Sequence, residues 1–100
     1  MNPMSVIAEF VEMLTPRAQA GLRGSARLVI RDEGTVTLDE TGARAGEHGE
    51  TDVVLLASEK VFRAILSGDQ NPVTAYMTGK LEVEGNAMRA LKVSDILTAG

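Results

Sequence analysis

The chain has 100 residues, ten basic and fourteen acidic, for a formal net charge of −4. That length holds one core and one domain spanning 1–100, and the acidic balance argues against a nucleic-acid partner, which needs clustered positive charge. With no cysteine, disulfides, iron–sulfur clusters and thiolate zinc sites are excluded and a reducing, cytoplasmic setting is expected.

No apolar run approaches the roughly 18 to 20 residues that span a bilayer, so no transmembrane segment is expected. The start, Met1-Asn2-Pro3-Met4-Ser5, lacks the positive region of a secretory signal. The side chains are 44% hydrophobic but only 3% aromatic, an aliphatic chain with little aromatic bulk to fill its middle.

Asn2-Pro3 reads as an N-cap followed by proline at the first helical position. Val6, Ile7, Phe10, Val11 and Leu14 then form one helical stripe, with Glu9 and Glu12 opposite. Thr15-Pro16 closes this helix in the sequence reading, because a residue before proline resists the α region. Residues 17–24 fit either another helical turn or a loop.

The period then changes to two. Ala26, Leu28 and Ile30 alternate with Arg27, Val29 and Arg31, and Thr35 to Asp39 resumes the alternation after the turn Asp32-Glu33-Gly34, predicting an antiparallel hairpin. A weak third strand follows over 43–47. Residues 52–57, Asp52-Val53-Val54-Leu55-Leu56-Ala57, are apolar on both faces, the pattern of a strand covered on both sides. Ser58 caps a helix carrying Val61, Phe62, Ile65 and Leu66 and ending at Gly68. Asn71-Pro72 starts a short helix, residues 80–84 alternate as a strand, and Gly85-Asn86 opens a final helix to about Thr98. This order predicts an α+β fold, an antiparallel-rich sheet of about five strands covered on one face by helices.

Little here demands catalysis. His48 is the only histidine and lies among Glu47, Glu50 and Asp52 in a Gly-rich turn, which reads as a solvated loop. Phosphate-binding glycine loops and a nucleophile elbow are absent from the sequence; helix capping explains Ser58, and Glu82 and Glu84 beside Lys80 read as solvated surface. No catalytic residue, metal site or cofactor is expected. The final helix is less ordinary, because its apolar residues (Ala87, Met88, Ala90, Leu91, Val93, Ile96, Leu97) spread around most of its circumference. Such a helix either touches a second chain, a bilayer or an apolar ligand, or is simply well buried, and both readings stay open. Met77 and Met88 flank the 80–84 strand, where flexible thioethers suit either an adaptable apolar surface or core filling.

The run Asp52 to Glu59, then Val61 to Gly68, then Asn71-Pro72-Val73-Thr74-Ala75-Tyr76-Met77-Thr78-Gly79-Lys80-Leu81-Glu82-Val83-Glu84-Gly85-Asn86, with Ala90-Leu91-Lys92-Val93 and Ile96-Leu97, resembles the sterol carrier protein (sterol-binding domain) family. The likeness covers nearly the whole chain and is most specific over 52–97. It implies an apolar tunnel between sheet and helices that takes a fatty acid, acyl thioester or sterol-like lipid, in a protein that is not itself a catalyst. Carried over by position, it implies Phe62, Ile65, Leu66, Tyr76, Met77, Leu81, Val83, Met88 and Leu91 as ligand-binding residues. The chain ends at Gly100, so the C-terminal segment that closes the tunnel in some relatives is expected to be missing, leaving the tunnel open or collapsed. The expectation is therefore a non-catalytic intracellular lipid carrier. The alternative is a protein–protein interaction or homodimerisation module with a collapsed cavity. An enzyme would need a site at His48 with Glu47 and Glu50.

Overall fold

The computed structural model describes residues 5–98, so the Asn2-Pro3 cap and the Gly100 terminus lie outside the described residues. Helix α1 runs Val6–Gly21 with Ser5 as its N-cap, the Ser5 hydroxyl accepting from Ala8 N at 3.1 Å. Its predicted stripe faces inward: Phe10 and Leu14 are fully buried, and Val6, Ile7 and Val11 pack against the core.

The expected stop at Thr15-Pro16 is corrected, since the helix continues through Pro16 to Gly21. Proline at 16 removes the N–H that would donate to the Glu12 carbonyl, but Glu12 is exposed, at the solvent side of the helix. Thr15 is held by its hydroxyl, which donates to Val11 O at 2.7 Å and accepts from Ala43 N at 3.2 Å. The extra turns bury Ala18 and deliver Leu22 to the core. Burial outweighs the local penalty.

Strands β1 (Ala26–Ile30), β2 (Gly34–Asp39), β3 (Gly42–Ala45), β4 (Val53–Ala57) and β5 (Glu82–Gly85) form one sheet in the order β3-β2-β1-β4-β5. The pairs β1–β2, β2–β3 and β4–β5 are antiparallel, as the alternation implied, but β1 and β4 pair in parallel from Ala26–Val53 to Ile30–Ala57. The sheet is mixed.

The parallel pairing requires the chain to travel back from β3 to the start of β4. Residues 46–52 do so across the face of the sheet away from the helices. There the Thr37 hydroxyl donates to Gly46 O at 2.6 Å and Arg27 Nη2 to Gly49 O at 2.7 Å. Both donors alternate with the inward Val36, Leu38, Ala26 and Leu28, and this strap explains why Thr37 is buried on the outer face.

Helices α2 (Glu59–Ser67), α3 (Pro72–Met77) and α4 (Ala87–Thr98) complete the second layer with α1. Helix α1 lies over β2 and β3, and α4 lies over β4 and β5 while touching the other three helices. The sheet contributes Ala26, Leu28, Ile30, Val36, Leu38, Val53, Leu55 and Ala57 to the core between the layers. The reading of β4 as covered on both faces is corrected: Val54 and Leu56 point away from the helices and are only half-buried. They share an outer-face groove with Arg27, Val29, Glu82 and Glu84, whose long side chains shelter apolar surface that no second layer covers.

Candidate functional site

The residues implied as ligand-binding come from α2, α3, β5 and α4, and local capping sets where each one faces. Ser58 Oγ accepts from Val61 N at 3.2 Å, and Gly68 ends α2 at φ +86°, a conformation that favours glycine. The helix thereby turns Phe62, Ile65 and Leu66 inward together.

Asn71 Oδ1 accepts from Val73 N at 2.8 Å and Thr74 N at 3.1 Å, with Pro72 at the first turn of α3. This short helix buries Pro72 and Ala75, so Val73, Tyr76 and Met77 face out. The amides of Lys80 and Leu81 then donate to Ala75 O at 2.8 and 3.0 Å and turn the chain toward β5, with Leu81 buried.

Val83 pairs with Leu55 on the inner face and packs against the core, while Glu82 and Glu84 take the outer face. Gly85 closes β5 at φ +100°; a Cβ there would stand 2.8 Å from the Asp52 carbonyl oxygen, so only glycine lets the strand end lie this close to β4. Asn86 Oδ1 caps α4 by accepting from Arg89 N at 3.0 Å.

The wide apolar arc of α4 is largely used. Ala90, Val93 and Leu97 are buried, and Leu91 and Ile96 are half-buried. Ser94 is buried with them, its hydroxyl donating to Ala90 O at 3.0 Å, so the polar atom is satisfied inside the helix. Met88 alone of the arc's large residues stands out, 73% exposed.

The structure thus gathers Phe62, Ile65, Leu66 and Leu81 in one core cluster with Val83 against it. It leaves Tyr76, Met77 and Met88 on the surface. The layer between sheet and helices is closed at these residues: Phe62, Ile65 and Leu81 are at most 2% exposed, where an open tunnel would leave its lining accessible.

Among the described residues, the clefts at the rim of this layer include two that lie between helices. One, of about 220 Å³, lies between α1 and α2 against Met13, Arg17, Arg63, Leu66 and Ser67. The other, of about 190 Å³, lies between the end of α1 and α4, lined by Gly21, Leu22, Arg23, Arg89, Lys92, Val93 and Ile96. Sequence reasoning missed this second cleft because it ended α1 at Thr15. The available signal was the spacing of Arg89, Lys92, Val93 and Ile96, which puts two cations and two apolar residues on one face of α4.

Charged groups bind the periphery. Arg63 bridges Glu59 at 2.6 Å and Glu9 at 2.9 Å, and the hydrogen bond that its Nε donates to Glu59 is the main reason its guanidinium holds its proton more firmly than usual. The Asp52 carboxyl is held below its ordinary range first by the Ser25 amide and then by Arg89. Asp39 is lowered by the Thr41 hydroxyl and amide, with help from Arg44. His48 is exposed with Nε2 2.7 Å from Ala45 O, while Glu47 faces Arg27 at 3.9 Å and Asp52 faces Arg89 at 3.1 Å. Among the described residues, no three His, Cys, Asp or Glu side chains converge closely enough to hold a metal ion.

The architecture and the residues around it match known proteins. The model of the SCP-2 sterol transfer family fits residues 9–98. This chain belongs to that family. It is 32% identical over 79 residues to a fatty acid-binding protein of Yarrowia lipolytica, a match covering 79% of this chain and 58% of that protein. It is 37% identical over 73 residues to hydroxysteroid dehydrogenase-like protein 2 of Rattus norvegicus, covering 67% of this chain and 14% of that protein. The chain therefore spans little more than half of the first relative and a small part of the second. In fold it resembles the sterol carrier protein domain 2 of Helicoverpa armigera, with a TM-score of 0.73 at 19% identity over 100% of this chain and 94% of that one. No helix among the described residues is long and apolar enough to cross a membrane.

Proposed function

We propose that this chain is a non-catalytic, cytoplasmic lipid carrier that holds a fatty acid, an acyl thioester or a sterol-like molecule between its sheet and its helices. The observation that carries this reading is the family match over residues 9–98. The name of the Yarrowia lipolytica relative, a fatty acid-binding protein, favours an acyl chain. Phe62, Ile65, Leu66, Leu81, Val83 and Leu91 wall the occupied layer in this reading, and the outward Tyr76, Met77 and Met88 border its entrance.

Because the layer is closed, the ligand must part α4 and α3 from the sheet rather than fill a standing tunnel. Magnitudes allow this. Each buried methylene is worth about 0.8 kcal/mol, so ten of them contribute about 8 kcal/mol, comparable with the whole stability of a domain of this size, about 5 to 15 kcal/mol. A slot formed in this way discriminates weakly between chain lengths.

Native mass spectrometry of the purified protein, followed by titration with a long-chain acyl probe, tests the proposal. Bound lipid, or a melting temperature that rises with probe concentration, is expected. A protein that is consistently lipid-free and shows no rise refutes it. The closed layer favours one second reading, a homodimerisation module, for which sedimentation would show association that depends on concentration.

A further inference from the structure

The cleft between α1 and α4 joins an apolar floor to a basic rim. Its floor is Leu22, Val93 and Ile96, and its rim carries Arg23, Arg89 and Lys92, three of the ten basic side chains in a chain of net charge −4. Among the described residues Arg23 and Lys92 make no salt bridge. Arg89 is braced through one nitrogen, Nη2, which reaches Asp52 at 3.1 Å and Arg23 O at 3.3 Å. The other donors of its fork remain free to bind. Of the carboxylates near the rim, Asp52 is occupied by Ser25 N and Arg89, and Glu40, beside Arg23, by the Gly24 amide at 3.3 Å, while Asp95, one turn from Lys92 on α4, makes no salt bridge among the described residues.

We propose that this cleft binds the anionic end of a single-chain amphiphile, a carboxylate or phosphate monoester. The head would lie on Arg23, Lys92 and Arg89, with the adjoining methylenes on Leu22, Val93 and Ile96. An apolar floor with a few convergent polar groups is the usual make-up of a small-molecule site, and charge-assisted bonds from a guanidinium fork suit these oxyanions. The cleft's volume of about 190 Å³ exceeds that of a cavity of about 150 Å³ that takes benzene. It therefore accommodates a head and its first carbons but not a whole lipid. Leu22 and Val93 also belong to the core cluster, so the cleft floor is the outer wall of the layer assigned above to the chain. The inference rests on that lipid-carrier reading and adds to it the charge of the ligand and the place of its head.

The test is NMR titration of the intact chain with decanoate, decanol, acetate and inorganic phosphate. Decanoate should bind more tightly than decanol and shift amides at 21–23 and 89–96; acetate and phosphate at equal concentration should not. The double variant Arg23→Gln, Lys92→Gln, both at exposed positions, should weaken decanoate about tenfold and leave decanol within about twofold of the parent. Gly21→Leu should weaken decanoate as well. A Cβ at Gly21 meets only Ile96 Cγ1, at 4.0 Å, so the new side chain enters the cleft without a backbone clash. Equal binding of decanoate and decanol, unchanged decanoate binding in both variants, or the same shifts with acetate or phosphate alone overturns the headgroup site while the carrier reading stands. Binding of neither ten-carbon ligand overturns both.

Discussion

Phe10 of α1 and Phe62 of α2, the only two phenylalanines in the chain, stand edge to face with ring centroids 6.4 Å apart and planes at 75°. Arg63 lies 5.2 Å over the Phe10 ring, so the one aromatic pair in the core is also roofed by a cation. The scarce aromatic bulk of the sequence is concentrated at the α1–α2 contact. Phe62→Ala should therefore cost about 3 to 5 kcal/mol, a large part of the total stability, while Phe62→Leu should cost clearly less. Urea unfolding of the two variants checks this, and equal losses would mean that the edge-to-face contact contributes nothing specific.

Arg17 ties three helices together. Its Nη1 donates to Leu66 O at the end of α2, at 3.2 Å, and to Leu97 O at the end of α4. These are C-terminal carbonyls that lack partners within their own helices, and a cation there also complements the helix dipole. Arg17→Met keeps the aliphatic stem and removes the donors, and should cost about 1.5 to 3 kcal/mol. Hydrogen exchange should quicken in the last turns of α2 and α4 before it does in β1, and uniform quickening would count against a local clamp.

Asp52 and Asp39 both have folded pKa values below the ordinary 3.8. Their contribution to stability is fully present above that value and is lost as pH falls through the folded pKa. Melting temperature should therefore drop as pH is lowered beneath about 3.8. Asp52→Asn should be less stable than the parent at neutral pH, with the gap narrowing as acid protonates the parent's own carboxylate. A gap that stays constant down to about pH 2 would mean that the ionised form of Asp52 is not what the fold uses.

Much of the architecture was legible because its signals are local. Ser58 and Asn71 cap their helices through bonds to amides two or three residues away, Gly68 takes the left-handed conformation, and Ala26, Leu28 and Ile30 bury one face of β1. Local signals mislead where distant contacts overrule local preference. Thr15-Pro16 stays helical because Ala43 and the core hold that turn. Val54 and Leu56 read as buried, yet they sit in a groove sheltered by charged side chains.

The elements, the α+β class and the family are legible along the chain, because periodicity, caps and residue order are local properties. The parallel run of β4 beside β1, the closure of the layer at Phe62, Ile65, Leu66 and Leu81, and the outward Met77 and Met88 emerge only from the packed fold. Helical and strand periods specify which residues share a face, whereas what covers that face depends on segments far away in the chain. The aliphatic composition of the chain fits either a filled core or one that parts for a lipid. At rest it is filled, with its aromatic weight gathered in the single contact of Phe10 and Phe62.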